Sequence, residues 1–255
     1  MTVSGARSRA IVPRVTRHAS RPFVLVNMAM TADGKIATAN RAVSSFGSKH
    51  DHDHLLALRA TADAVMCGAR TADLNDINLG PGSAKFCSMR LRRGLAEHNL
   101  RILVSGSGSI NPRASIFRHD FSPIIVLTTG LMPASSRQRL EALGAEIKVC
   151  GKTEINFRTS LRWLHERWNV KRLLCEGGGE LNDALFRSGL VDELHLTVCP
   201  KIFGGRQAPT IADGLGFPNL AAAARLELKS ARRVGDEMFL VYSARKLSPT
   251  RRARH

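Results

Sequence analysis

Between Phe23 and Arg187 short apolar runs alternate with stretches of helical periodicity, and this alternation confines the chain to an α/β architecture. Phe23-Val24-Leu25-Val26-Asn27, Ala64-Val65-Met66-Cys67-Gly68, Arg101-Ile102-Leu103-Val104 and Pro123-Ile124-Ile125-Val126-Leu127 read as strands, as do residues 145–149 and 171–175. Ser48 is placed to cap a helix carrying Leu55, Leu56 and Leu58 and ending near Ala62. Further helices are expected over residues 135–144, 161–168 and 181–187, and a long polar surface loop over residues 73–88. Strand and helix at this spacing predict a mostly parallel sheet covered on both faces, a three-layer α/β/α arrangement. The alternating runs Glu193-Leu194-His195-Leu196-Thr197-Val198 and Glu237-Met238-Phe239-Leu240-Val241-Tyr242 lack a comparable helix between them. They predict antiparallel C-terminal strands in a mixed sheet.

The net charge of +17 invites a nucleic-acid reading, but its distribution argues against one. Arg7, Arg9, Arg14, Arg17 and Arg21 lie in a stretch without a carboxylate, and Arg245, Lys246, Arg251, Arg252 and Arg254 crowd the other end. Residues 1–20 and 247–255 are therefore expected as basic tails around a folded domain at 21–246. No stacking aromatics interleave with this charge, so a nucleic-acid-binding protein is the weaker, non-enzymatic alternative. The acid-free start has the composition of an organellar transit segment, which a basic solvated tail shares. Five cysteines without a C-x-x-C pair point to a reducing, cytoplasmic setting and not to a disulfide framework. No apolar run is long enough for a membrane span.

The chemistry concentrates where the sixth predicted strand runs into Glu176-Gly177-Gly178-Gly179-Glu180 and then a helix. Glycines allow backbone N–H groups to approach an anion, and a helix N-terminus adds its dipole, so the pattern suits a dinucleotide pyrophosphate. A plain glycine turn is the alternative. Ser105-Gly106-Ser107-Gly108-Ser109 begins like a Rossmann fingerprint, yet Asn111-Pro112 follow where helix is required. His50-Asp51-His52-Asp53-His54 has metal-ligand residue types, but no third ligand on that face is specified, and a solvated first helical turn explains it as well; no metal is expected. There is no G-x-S-x-G elbow for nucleophilic catalysis.

The glycine loop, taken with Gly189-Leu190-Val191-Asp192-Glu193 and Cys199-Pro200-Lys201-Ile202-Phe203-Gly204-Gly205, resembles the riboflavin-biosynthesis pyrimidine reductases. Met30-Thr31-Ala32-Asp33-Gly34-Lys35-Ile36-Ala37, Leu58-Arg59-Ala60, Ala208-Pro209-Thr210 and Asp213-Gly214-Leu215-Gly216-Phe217 strengthen the resemblance, which spans about residues 21–245. It implies a dihydrofolate-reductase-like fold, a homodimer, and NADPH-dependent reduction of a ribosylamino-pyrimidine 5′-phosphate, either the diamino-pyrimidinone or the amino-uracil form. Neither zinc signature of the companion deaminase occurs, so a stand-alone reductase is expected. Carried over by position, Thr71, Asn75, Ser105, Gly177, Gly178, Gly179 and Glu180 are expected at the cofactor. Asn27, Arg59, Leu79 and Glu176 are expected at the substrate, with Glu176 and then Asp33 as the catalytic candidates. Asp33 has the competing reading of serving its Asp-Gly turn. Asn75 stands where the family has a carboxylate, Ser105 where it has Asp, and Gly82 where it has Arg, with Lys85 or Arg90 as nearby substitutes for that last charge. These departures motivate a second enzyme reading, a diverged reductase acting on another pterin- or pyrimidine-like compound.

Overall fold

The computed structural model describes residues 20–41, 46–74 and 77–245. Strands β1 (Phe23–Thr31), β2 (Ala64–Gly68), β3 (Leu100–Val104), β4 (Ile124–Thr128), β5 (Ala145–Val149), β6 (Arg172–Cys175), β7 (Glu193–Cys199), β8 (Leu226–Val234) and β9 (Glu237–Ala244) form one sheet in the order β5-β4-β3-β2-β6-β1-β7-β9-β8. The first seven strands pair in parallel, and β9 runs antiparallel to both β7 and β8. Six helices accompany them: α1 (Lys49–Arg59), α2 (Ala69–Leu74), α3 (Ala84–Arg92), α4 (Ala134–Ala142), α5 (Phe157–Trp168) and α6 (Gly179–Arg187).

The apolar runs are near-continuous because both faces of the parallel region are covered. Successive side chains of a strand point to opposite faces, and β1 divides its residues accordingly. Val24, Val26 and Met28 enter one core with Leu161 and Leu164 of α5 and Leu181 and Leu185 of α6. Leu25 enters the other core with Leu58 of α1 and Leu140 of α4. In β2, Met66 joins the first core and Val65 and Cys67 the second, which gives the three layers expected from the sequence.

Local chemistry sets the helix ends. The Ser48 hydroxyl accepts from the backbone N–H groups of His50 and Asp51 at 3.1 and 3.3 Å, capping α1 where expected. Asn156 Oδ1 caps α5 through Thr159 N at 3.1 Å, and Asn169 at φ 51° stops that helix in the left-handed region.

Two elements depart from the sequence reading. Residues 73–88 are not one surface loop, since α2 ends and α3 begins within them. Phe86, Cys87 and Arg90 of α3 are buried. Arg90 donates to the carbonyls of Ala96, Arg59 and Ala62 at 2.9, 2.8 and 2.5 Å, so a residue type that normally signals solvent here collects helix and turn carbonyls. Strand β8 was absent from the predicted pattern because its apolar alternation is confined to Leu226 and Leu228: nearly all its residues are exposed, and Lys229, Arg232 and Arg233 charge the sheet edge.

Arg101 is a second buried cation, 1% exposed within β3. It donates to Ile116 O at 2.8 Å, to Ser122 Oγ at 3.1 Å and to Ser122 O, and stacks 4.3 Å from the Phe121 ring centroid. Burial lowers its pKa to about 10. Replacing Arg90 by Leu should cost roughly 3 kcal/mol, because up to three carbonyls lose their donors. Thermal unfolding of Arg90→Leu is expected at roughly 6–12 °C below the parent, and an unchanged midpoint would rule out the structural role assigned to Arg90.

Candidate active site

Parallel pairing brings the carboxyl ends of β1, β2, β3 and β6 to one edge of the sheet, and β6 slots between β1 and β2. In such sheets this edge is where ligands sit. A cavity of about 1030 Å³ opens there, and its lining includes Gly178, Gly179, Thr71 and Ser105 together with Asn27, Arg59, Glu176 and Asp51. That volume is at the upper end of the roughly 300–1,000 Å³ usual for ligand pockets.

The glycine loop leaves β6 anchored on β2: Glu176 N donates to Met66 O at 2.8 Å, and Gly68 N donates to Gly177 O at 2.7 Å. Each glycine has its own steric reason. Gly177 has φ +82°, and a Cβ there would come within 2.7 Å of Met28 Sδ. A Cβ on Gly178 would stand 3.2 Å from Thr71 Oγ1, and one on Gly179 would meet Thr210 O at 2.8 Å and Asp213 N at 3.0 Å. A turn alone requires a single glycine, so the other two answer to close packing around the cradle. Gly178 caps α6, and Glu180 occupies its first turn and pairs at 3.2 Å with Arg70. The cradle therefore has the features that suit a pyrophosphate: a helix N-terminus, a backbone without side chains, and hydroxyl-bearing Thr71 and Ser105 in the same cavity wall.

The loop is braced from behind. Asp213 accepts from Thr210 N at 2.8 Å and Thr210 Oγ1 at 2.6 Å, and Asp213 N donates to Gly179 O at 3.0 Å. Asn182 Nδ2 reaches Ile211 O at 2.8 Å. This gives the Ala208-Pro209-Thr210 and Asp213-Gly214 motifs a physical purpose, to seat the start of α6.

In the same cavity Arg59 grips Glu176 with two parallel hydrogen bonds, Nε to Oε1 and Nη2 to Oε2, each 2.7 Å, while Nη1 donates to Gly80 O at 2.7 Å. Both side chains are 9% exposed. Burial alone would lower the Arg59 pKa, but the Glu176 charge carries it above its ordinary value. Such a pair fixes a carboxylate in direction as well as charge.

The remaining candidates separate. Asn27 lines the cavity from β1, and its Oδ1 is buried without a hydrogen-bond partner. Ser105 ends β3 and donates from Oγ to Ser109 O at 3.4 Å. Leu79 is fully buried in the core beneath α1 and is outside the cavity lining; its carbonyl accepts from Asn99 Nδ2 at 2.8 Å. Asp33 also stands outside the lining. Its carboxylate accepts from Thr31 Oγ1 at 2.5 Å, Phe203 N at 3.2 Å and Gly204 N at 2.8 Å, and the Thr31 hydroxyl leads in holding its pKa below the usual carboxylate value. That geometry ties the 201–205 segment to the end of β1. Asn75 falls outside the described residues.

Neither Lys85 nor Arg90 lines the cavity, whereas Arg41, Arg70 and Arg187 do. Sequence reasoning missed Arg41 and the cavity role of Asp51, and neither carries a local motif that would have revealed it. The His-Asp run is dispersed by its helix: Asp51 and His52 face the cavity, while His54 packs on His195 with Nε2 to Nδ1 at 3.2 Å. Burial, with His195 and Arg232 adding to it, lowers the His54 pKa to about 4. Among the described residues the group Cys87, Glu97 and His98 brings potential metal-ligand atoms within 4.8 Å of one another, outside this cavity.

Residues 22–240 match the family model described as the RibD C-terminal domain. The chain is 32% identical over 227 residues to the 2,5-diamino-6-ribosylamino-4(3H)-pyrimidinone 5′-phosphate reductase of Methanothermobacter thermautotrophicus, covering 88% of this chain and 99% of that one. It is 32% identical over 197 residues to the reductase of the same name from Archaeoglobus fulgidus, covering 77% and 89% of the two chains. Among solved structures, RibD of Acinetobacter baumannii superposes with a TM-score of 0.73 at 22% identity, over 89% of this chain and 58% of that one. The yeast riboflavin biosynthesis reductase Rib7 superposes at 0.65 with 15% identity, over 90% and 93%. These two likenesses bear on the fold, and the family model and the archaeal relatives on the lineage: the chain belongs to the riboflavin-biosynthesis pyrimidine reductase family defined by the RibD C-terminal domain.

Proposed function

We propose that this oxidoreductase uses NADPH to reduce a ribosylamino-pyrimidine 5′-phosphate to its ribitylamino product, working as a homodimer in the cytoplasm. The observation that carries the reading is one cavity holding both a glycine cradle at a helix N-terminus and the Arg59–Glu176 pair with Asn27. The residues present fit a dinucleotide: a Cβ at Gly178 would crowd Thr71 Oγ1 at 3.2 Å, and one at Gly179 would push the loop off its Thr210–Asp213 brace, so the backbone at the start of α6 keeps its place only with glycines there. Thr71, Ser105 and residues 177–180 would hold it, Arg70, paired with Glu180, brings positive charge to the cradle suited to a 2′-phosphate, and Asn75 belongs to the same set by family position.

When bound, NADPH would supply the hydride that reduction at C1′ of the ring-opened, imine form of the substrate requires. The protein's share is to orient, exclude water and manage the accompanying proton. Glu176 keeps acceptor capacity beyond the two bonds from Arg59, so it can hold a sugar hydroxyl or N–H of the substrate in one direction. Arg59 acts through Glu176, because its guanidinium is already engaged by that carboxylate and by Gly80 O. Arg41, exposed on the cavity wall, is the better-placed cation for the substrate phosphate. Asp33 is a positioning residue for the 201–205 segment.

Homodimer formation is supported by apolar side chains left at the surface around the C-terminal strands. Ile202, Leu215 and Leu220 are 70%, 80% and 91% exposed, and Leu228 on the edge strand 53%. Five buried cysteines without a disulfide suit a reducing compartment. Among the described residues no helix is long and apolar enough to cross a membrane.

The direct test is NADPH oxidation by the purified protein with the diamino-pyrimidinone and the amino-uracil ribosyl phosphates in turn; turnover of at least one is expected, and inertness toward both would overturn the proposal. Glu176→Gln should lower kcat/KM about 100-fold while the NADPH Kd, read by fluorescence titration, stays within about threefold; equal loss in both would place Glu176 at the cofactor. Gly179→Ala pushes a methyl onto the Thr210 carbonyl and should destabilise by about 1–3 kcal/mol and weaken NADPH more than substrate. A variant with parental Tm and NADPH affinity would show that the packing at Gly179 is dispensable.

A further inference from the structure

Away from the cavity, helix α3 and the turn that follows it bring three side chains of metal-ligand type together. The chain leaves the helix through Gly94, whose φ of +71° lies in the left-handed region, with Gly94 N donating to Leu91 O at 3.0 Å and Leu95 N to Arg90 O at 3.1 Å. Paired bonds of this kind end a helix and reverse the chain. The returning segment sets Glu97 and His98 against Cys87, so that Sγ, a carboxylate oxygen and a ring nitrogen all lie within 4.8 Å of one another. The order Cys-x9-Glu-His matches no familiar zinc-ligand spacing, and only the fold reveals the set.

The turn is fastened on both sides of its two ligands. Arg90 Nε donates to Ala96 O at 2.9 Å just before Glu97, and Asn99 Nδ2 donates to Leu79 O at 2.8 Å just after His98. The His98 ring lies against Phe121, with centroids 5.0 Å apart and planes inclined by 31°, which restricts where its nitrogens point. Ligands held this way lose little freedom when an ion arrives. Cys87 is 9% exposed, His98 half-buried and Glu97 exposed, so the set runs from the interior to solvent and an ion can enter past Glu97.

We propose that Cys87, Glu97 and His98 form a binding site for a zinc-type divalent cation, with water as the fourth ligand. Hard cations such as magnesium and calcium take shells of oxygen, whereas a thiolate and an imidazole on one ion select zinc. The Cys87 thiol gives up its proton to solvent as the metal–sulfur bond forms. Thiolate and carboxylate then neutralise the two charges of the ion, and no net charge is buried. Tetrahedral zinc spaces its ligand atoms about 3.3–3.6 Å apart. Binding therefore draws the group inward, a movement the exposed Glu97 side chain can supply. Phe121, which carries His98, also packs on Gly80, where a Cβ would come within 2.7 Å of Cζ, and Gly80 O accepts from Arg59. An ion at Cys87 thus ties α3 to the turn that backs the Arg59–Glu176 pair.

The test titrates the full-length, reduced, chelator-stripped protein with Zn²⁺ against a chromophoric chelator, and with Co²⁺ as a spectroscopic probe, for the parent, Cys87→Ser, Glu97→Gln and His98→Gln. The parent should bind about one Zn²⁺ per chain with Kd on the order of 1 µM. Its Tm should rise by roughly 5–10 °C at about 100-fold excess of Zn²⁺ over Kd. Cys87→Ser and His98→Gln should each weaken binding at least about tenfold, and Glu97→Gln about threefold or more. The cobalt complex should show an intense near-ultraviolet thiolate-to-metal charge-transfer band that Cys87→Ser abolishes. Should Cys87→Ser fail to fold, the surface variants Glu97→Gln and His98→Gln and the parent's cobalt spectrum decide the matter. Parental Kd weaker than about 100 µM, a cobalt complex without the thiolate band, or affinity unchanged in the folded variants would overturn the site, the last by placing the ion elsewhere on the chain.

Discussion

Parallel strands end on the same side, and in this chain that constraint gathers residues from widely separated segments around one cavity. Gly68, Ser105 and Glu176 each sit at or beside the carboxyl end of a strand, Asn27 lies midway along β1 where β6 ends, and each reaches the cavity without a long loop. The insertion of β6 between β1 and β2 makes the arrangement productive, because the glycine loop emerges where two neighbouring strands can anchor it. A flexible loop would present the same backbone groups with a larger ordering cost on binding; a loop pinned to Met66 and Gly68 has met that cost during folding.

Packing around the cradle explains why the irregular stretch after β7 belongs to the site although most of it contacts no reacting group. Asp33 holds Phe203 and Gly204, Lys35 bridges to Thr210, and Asp213 meets Gly179. The hydrogen bonds run from the end of β1, through a segment without regular structure, to the first turn of α6. Carboxylates at Asp33 and Asp213 thus substitute for the sheet or helix pairing that this segment lacks.

The parallel core was legible because its strands are apolar on both faces, and the glycine loop because each of three consecutive positions excludes a side chain. Strand β8 was not legible, since its apolar alternation stops after Leu228 and Lys229, Arg232 and Arg233 follow on an exposed edge. Helix α3 was hidden for the opposite reason: Arg90 reads as solvent-facing until the carbonyls of Arg59, Ala62 and Ala96 are known to converge on it. The family resemblance placed Arg59 and Glu176 on the substrate side, but not that they bind each other. Asp51 looked like one member of a His-Asp run, and only the fold sets it in the cavity lining with Asn27.

The seat of α1 depends on a residue made very late. Ser48, which caps the helix, is fastened to Glu237 across 189 residues of chain, and the β9 strand carrying Glu237 pairs with β7. During synthesis the glycine loop and its supporting strands emerge well before that anchor, and closing so long a loop is both entropically costly and slow. A nascent chain that has reached the end of α6 therefore has the glycine loop, but neither its brace at Ile211 and Asp213 nor the anchor of α1. Both the glycine loop and α1 are therefore fixed in place by segments that are synthesised after them.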